Sequence, residues 1–234
     1  MYSEAFCKVY NEFGWNYLPE AFGEQLLTWI EKRQVKVETS LDLACGTGIL
    51  CEILHKQGIQ ASGMVFSEGM IEIAKGNNPN IFYEVADMIT YRPEQTFDLV
   101  TCTGDALNHI IDLKDVEKIF QNVYAYLNTG GYFIFDVLNE NELSVGEAFD
   151  LDFSEEVKAQ FMISLDDDGI ITLKTTVYEN GEFQLEEKIH EIVHDPEVLC
   201  ELLRKTGFEV VICAHQLLED VQINGTSWFL VARK

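Results

Sequence analysis

The chain has 234 residues, 47% of them apolar, with 16 Lys and Arg set against 40 Asp and Glu for a formal charge of −24. That length fits one large domain, or one domain carrying an insertion, and buries roughly 70% of its unfolded surface, enough to fold without disulfides or a metal staple. Such a negative field repels phosphate backbones and anionic headgroups, so nucleic acid and membrane surfaces are excluded as expected partners.

In chain order, residues 3–14 and 20–33 read as helices, with Leu26, Leu27 and Ile30 at helical spacing and Pro19 marking the break between them. A short apolar run at 40–44 leads into Cys45-Gly46-Thr47-Gly48 and a helical pattern through Leu54. A second strand is predicted over 60–66, then a helix from its N-cap Ser67 to Lys75. Further strands read at 81–85, 97–102 and 132–137, with a helix at 113–127 closed by Asn128-Thr129-Gly130-Gly131. This alternation predicts a mostly parallel sheet with helices on both faces.

After Leu138 the pattern changes. Residues 157–165, 170–178 and 183–192 are long alternating stretches joined by Asp168-Gly169 and Asn180-Gly181, dipeptides that favour tight hairpins. An antiparallel insertion, bounded at 140–194, is therefore expected within a single domain of residues 1–234, and residues 1–35 form its N-terminal helical segment. The core resumes with a helix starting Asp195-Pro196-Glu197 and closes with strands at 208–215 and 227–232.

No apolar run reaches the 18 residues of a membrane span, and Met1-Tyr2-Ser3-Glu4 lacks the basic start of a signal peptide. Six scattered cysteines (Cys7, Cys45, Cys51, Cys102, Cys200 and Cys213) make no CxxC pair and read as buried thiols. A cytoplasmic location is the expectation.

The glycine turn after the first strand allows a sharp bend and brings backbone close to a ligand at a helix N-terminus. With its surroundings, Leu41-Asp42-Leu43-Ala44-Cys45-Gly46-Thr47-Gly48, it resembles the first motif of class I S-adenosylmethionine-dependent methyltransferases. The likeness continues in order. Gly63–Met70 resembles the second motif, Val85-Ala86-Asp87-Met88 the loop after the third strand, and Phe97–Val100 with Gly104–His109 the fourth motif. Leu127–Gly131 resembles the approach to the fifth strand. The resemblance implies a Rossmann-like doubly wound sheet of seven strands, S-adenosyl-L-methionine as cofactor and, from the insertion and the aromatic N-terminal helices, a small-molecule substrate.

Carried across, the likeness sets Ala44, Cys45, Gly46 and Gly48 against the methionine part of the cofactor. Phe66 and Met70 flank ribose and adenine, Asp87 accepts from the adenine amine, Met88 packs on the ring, and Thr103 and Gly104 line the floor by the sulfonium. The family acid that holds the ribose hydroxyls is replaced by Val65, which offers no acceptor. Glu68 substituting for it, weak binding, or an altered sequence would each account for that departure. His109 is the candidate base where the nucleophile starts protonated. Tyr10, Trp15, Tyr17 and Asn108 are candidates for the substrate wall and lid. No metal ligand set is expected.

Competing readings remain. A relative that binds cofactor weakly, without catalysis, accounts for Val65. A nicotinamide-dependent oxidoreductase also uses a Gly turn, but Cys51 stands where GxGxxG has its third glycine. His190-Glu191-Ile192-Val193-His194 matches the zinc-peptidase pattern HExxH, yet on a strand its imidazoles lie about 13 Å apart at roughly 3.3 Å per residue. Asp166-Asp167-Asp168-Gly169 lacks the alternation of a calcium loop and reads as a hairpin turn. An antiparallel insertion also offers a face for homodimer pairing.

Overall fold

The computed structural model describes residues 3–11, 17–139, 145–146, 148–152, 156–215 and 227–234. Its helices are α1 (Glu4–Val9), α2 (Tyr17–Arg33), α3 (Ile49–Lys56), α4 (Glu68–Asn77), α5 (Leu113–Tyr126) and α6 (Pro196–Thr206), with a 3-10 turn at Ala106–His109. The core strands are β1 (Thr39–Leu43), β2 (Gln60–Val65), β3 (Phe82–Val85), β4 (Phe97–Cys102), β5 (Leu127–Leu138), β10 (Glu209–Ala214) and β11 (Ser227–Arg233). Between β5 and β10 lie β6 (Ala148–Asp152), β7 (Val157–Leu165), β8 (Ile170–Glu179) and β9 (Glu182–Ile192).

The core sheet runs β3-β2-β1-β4-β5-β11-β10, with β11 antiparallel to both neighbours and the β3-to-β5 pairs all parallel. The order reverses between β1 and β4, and a crevice opens at the carboxyl ends of strands beside such a switch point. Helices cover both faces. On one, Val116, Ile119, Phe120 and Val123 of α5 recur at helical spacing and pack with Leu199 and Leu203 of α6 against Phe133 and Phe135. On the other, Leu26 and Trp29 of α2 join Leu50 and Leu54 of α3 over Leu99 and Ile134.

The insertion is a four-stranded antiparallel sheet, β6-β7-β8-β9, joined by the expected turns. Asp166 shapes the first one, its Oδ1 accepting from Asp168 N at 3.0 Å and Ile170 N at 2.8 Å. Along β9 the buried positions are Glu187, Ile189 and Glu191, a period-2 face turned toward the core. Glu187 accepts from Ser3 N (3.2 Å) and Ser3 Oγ (2.7 Å), and Phe6 packs among Ala159, Phe161 and Val177. The insertion thus holds α1 in place.

Several boundaries differ from expectation. Pro19 lies inside the first turn of α2, where the amide it lacks has no intrahelical partner. Helix α5 ends at Tyr126, and the Gly130-Gly131 pair is absorbed into β5, Gly130 N donating to Lys234 O at 2.8 Å. β6 and the 3-10 turn are additional elements. Cys213 is exposed on the edge strand β10, a correction to the reading of all six thiols as buried. The HExxH segment is extended as expected: His190 Nδ1 meets Thr172 Oγ1 at 2.9 Å, while His194 Nε2 meets Ile110 O at 2.9 Å. No helix among the described residues is long and apolar enough to cross a membrane.

Candidate active site

Two glycines bring the loop after β1 close to its neighbours. At Gly48 (φ 85°) a Cβ would stand 2.5 Å from Tyr83 Oη, and at Gly63 it would stand 2.8 Å from Cys45 Sγ. Tyr83 donates to Gly48 O at 3.3 Å and Cys45 N donates to Met64 O at 3.0 Å, so the loop rests on β2 and β3. Gly46 faces open space, with nothing within 4 Å of a Cβ built there.

Above that loop lie two adjoining cavities. The larger, about 420 Å³, is lined by Val65, Phe66, Met70, Asp87, Met88 and Ile110, among others. The smaller, about 140 Å³, is lined by Asp42, Cys45, Thr47, Leu18, Asp105 and Glu191, among others. Tyr10, Ala44, Gly46, Thr103, Gly104 and Ile189 border both. The crevice is therefore open, and its two chambers differ in chemistry: a mostly apolar slot with Asp87 and Glu187 at its edges, and a short acidic channel beside the Gly loop.

Ser67 caps α4, its Oγ accepting from Met70 N at 3.4 Å, which turns Phe66 and Met70 toward the slot. Phe66 is 55% exposed and completes the slot's outer wall. Asp87 Oδ1 accepts from Ile89 N at 2.8 Å, a local turn that leaves the second oxygen for a ligand. Glu68 is exposed and lies off both linings, so it does not take the place of the acid missing at Val65.

Several expected residues stand elsewhere. Gly48 touches neither cavity because Tyr83 covers it. Asn108 has no exposed surface. Its Nδ2 donates to Ile192 O at 2.6 Å and its Oδ1 accepts from Leu138 N at 3.1 Å, clamping the insertion to β5 rather than lining a substrate pocket. Tyr17 is 61% exposed and off the linings, where Leu18 and Pro19 stand instead. Trp15 lies outside the described residues. His109 borders the larger cavity. Its Nδ1 lies 3.3 Å from His190 O, and since a carbonyl only accepts, the neutral ring carries its proton on Nδ1, with Nε2 3.6 Å from Glu191 Oε1. Burial lowers the His109 pKa, favouring that neutral form.

Acids that sequence reasoning did not place in the site stand in the lining of the smaller cavity (Asp42, Asp105 and Glu191) and behind it (Asp136). Asp42 accepts from Thr101 Oγ1 at 2.7 Å, and burial pushes its pKa up to about 7. Asp136 accepts from Gly104 N (2.8 Å) and Asp105 N (3.2 Å), fixing the turn after β4, and burial raises it to about 6. Burial also raises Asp105 and Glu191. Asp42 belongs to a quoted motif and was findable. Glu191 comes from the insertion, and its only signal is an acid on the same alternating face as Ile189.

Residues 41–131 match the family model described as a methyltransferase domain. Over 121 residues the chain is 33% identical to a ubiquinone biosynthesis O-methyltransferase of Coxiella burnetii, covering 49% of this chain and 50% of that one. The chain thus spans about half the length of the curated relatives it matches. A S-adenosylmethionine-dependent methyltransferase of Clostridium acetobutylicum superposes with a TM-score of 0.80 at 22% identity, over 90% of this chain and 89% of that one. The amino pentose methyltransferase CalS10 of Micromonospora echinaspora, solved with S-adenosylmethionine bound, gives 0.80 at 17% identity, over 100% and 98%. Residues 41–131 thus resemble the methyltransferase-domain family, and the chain has the fold of S-adenosylmethionine-dependent methyltransferases of known structure.

Proposed function

We propose that the protein transfers a methyl group from S-adenosyl-L-methionine to a small-molecule acceptor. The observation that carries this reading is the two-chambered crevice at the carboxyl ends of β1, β2 and β4, directly over the Gly loop. Its volume suits a drug-sized ligand, for which pockets of about 300–1,000 Å³ are usual. The apolar slot of Phe66, Met70 and Met88, with Asp87 at its edge, would hold the adenine. The acidic channel of Asp42, Ala44, Cys45, Gly46 and Thr47 would hold the methionine end. Cys51, where a dinucleotide loop needs glycine, is fully buried with Sγ 3.4 Å from Ser62 O, which disfavours the nicotinamide reading.

When bound, the cofactor supplies a methyl group on a positively charged sulfur. The protein's part is alignment and exclusion of water, which matter more to such a displacement than acid–base strength. Tyr10, Leu18 and Pro19 roof the crevice from the N-terminal segment, Ile189 and Glu191 wall it from the insertion, and Thr103 and Gly104 form its floor. His109, which borders the slot, would be the base where the nucleophile starts protonated. A cytoplasmic location fits the free thiols, and the charge of −24 favours a compact acceptor over a polyanion. Homodimer pairing would use the insertion, whose edge strand β6 exposes Phe149 and Leu151.

Calorimetric titration with S-adenosylhomocysteine, beside turnover of labelled S-adenosylmethionine with small acceptors, tests the reading. Val65 borders the slot without an acceptor, so Val65→Asp is expected to tighten binding about tenfold or more, as charge-assisted hydrogen bonds of about 1.5–3 kcal/mol imply. Equal affinities of the two proteins remove Val65 as the weak point, and absence of both binding and turnover removes the function.

A further inference from the structure

Asp105 and Glu191 meet from opposite sides of the smaller cavity, one on the turn after β4 and the other on the inward face of β9. One ligand atom from each, with one from His109, lies within 4.8 Å of the others. Glu191 keeps 7% of its surface and borders the cavity, yet neither carboxylate accepts a hydrogen bond among the described residues. No described Lys or Arg lines that cavity. Glu191 is buried and Asp105 half-buried; carboxylates so placed without donors are costly, and desolvation drives both toward protonation. A site of that kind is completed by a cation.

Resting on the methyl-transfer reading, we propose that Asp105 and Glu191 bind the protonated amine of the acceptor, making the protein an N-methyltransferase for small primary or secondary amines. An ammonium group carries the N–H donors that the two carboxylates lack. Asp42, Thr47 and Thr103 also line the cavity, but Leu18, Ile49, Leu173 and Ile189 give it an apolar wall that suits a carbon skeleton better than the water shell a hard divalent ion retains. For transfer, one carboxylate takes an N–H proton from the ammonium, leaving a neutral amine with its lone pair. The nitrogen forms a bond to the methyl carbon as the carbon–sulfur bond breaks, its electron pair going to sulfur. The product leaves as an N-methylammonium, and the carboxylate returns its proton to solvent.

The test uses the full chain saturated with S-adenosylhomocysteine and compares, by ligand-observed NMR titration, benzylamine with benzyl alcohol and cyclohexylamine with cyclohexanol. The amines are expected to bind at least about tenfold tighter, the scale of a charge-assisted hydrogen bond. Glu191→Gln and Asp105→Asn are each expected to erase that preference while leaving S-adenosylhomocysteine affinity within about threefold. Asn suits position 105, whose φ of 51° is left-handed. The proposal is overturned by an absent amine preference, or by one that survives both variants. It is also overturned if the variants weaken S-adenosylhomocysteine about tenfold, which assigns the pair to the cofactor's own ammonium. Micromolar Mn²⁺ binding that displaces the amine and is lost in Glu191→Gln overturns it in favour of a metal. Failure of S-adenosylhomocysteine to bind the unaltered protein counts against the methyl-transfer reading alone, and the amine preference is then read without it.

Discussion

Asp42 stands at the carboxyl end of β1 with its carboxylate walled in by the sheet and met by one hydroxyl, that of Thr101. Its pKa rises from 3.8 to about 7, so the folded protein holds a proton the unfolded chain has released between those values. Stability from this group is complete below pH 3.8 and falls as pH rises through about 7. Asp42→Asn keeps the oxygen that Thr101 donates to and removes the charge. It is expected to be more stable than the parent at pH 8 by about 1–3 kcal/mol, with the gap closing toward pH 4, as thermal melts across that range would record. A gap independent of pH would mean that the carboxylate is not desolvated. Asp42 retains this burden where it faces the crevice, a compromise of stability with function.

At the scale of elements, the ordered motifs were legible because each depends on local chemistry: Ser67 and Asp195 cap helices where their side chains read as caps. The close seating of the Gly loop was only half legible. Sequence identifies Gly46 and Gly48, but that Gly63 is needed for Cys45 and Tyr83 to approach β2 depends on three elements meeting. Gly63→Ala would place a Cβ 2.8 Å from Cys45 Sγ and 2.9 Å from both Cys45 Cβ and Tyr83 Cδ1, and both neighbours are buried. A loss of about 1–3 kcal/mol in denaturant unfolding is expected, with weaker S-adenosylhomocysteine binding because the loop is displaced. Unchanged unfolding would show that the loop is not seated on β2. Asn108 was misread for a similar reason. Its place after β4 follows the family pattern, but its two amide bonds to Ile192 and Leu138 come from partners 84 and 30 residues away.

Across the whole molecule, the alternation of strands and helices disclosed a mostly parallel sheet with helices on both faces, because such alternation admits few topologies, while its seven strands followed from the family resemblance. The acidic half of the crevice was hidden, since it forms only when the insertion folds back and sets Glu191 against Asp105. The same fold-back anchors α1 through Glu187 and Ser3, so roof, wall and floor depend on one another. Everything functional rests on a nucleoside thioether occupying that crevice. Hydrogen exchange with and without S-adenosylhomocysteine measures this directly: slowed exchange is predicted for residues 44–48, 64–70 and 86–89, with β10 and β11 unchanged. No slowing at the Gly loop and the slot, or slowing confined to another surface, would contradict the account.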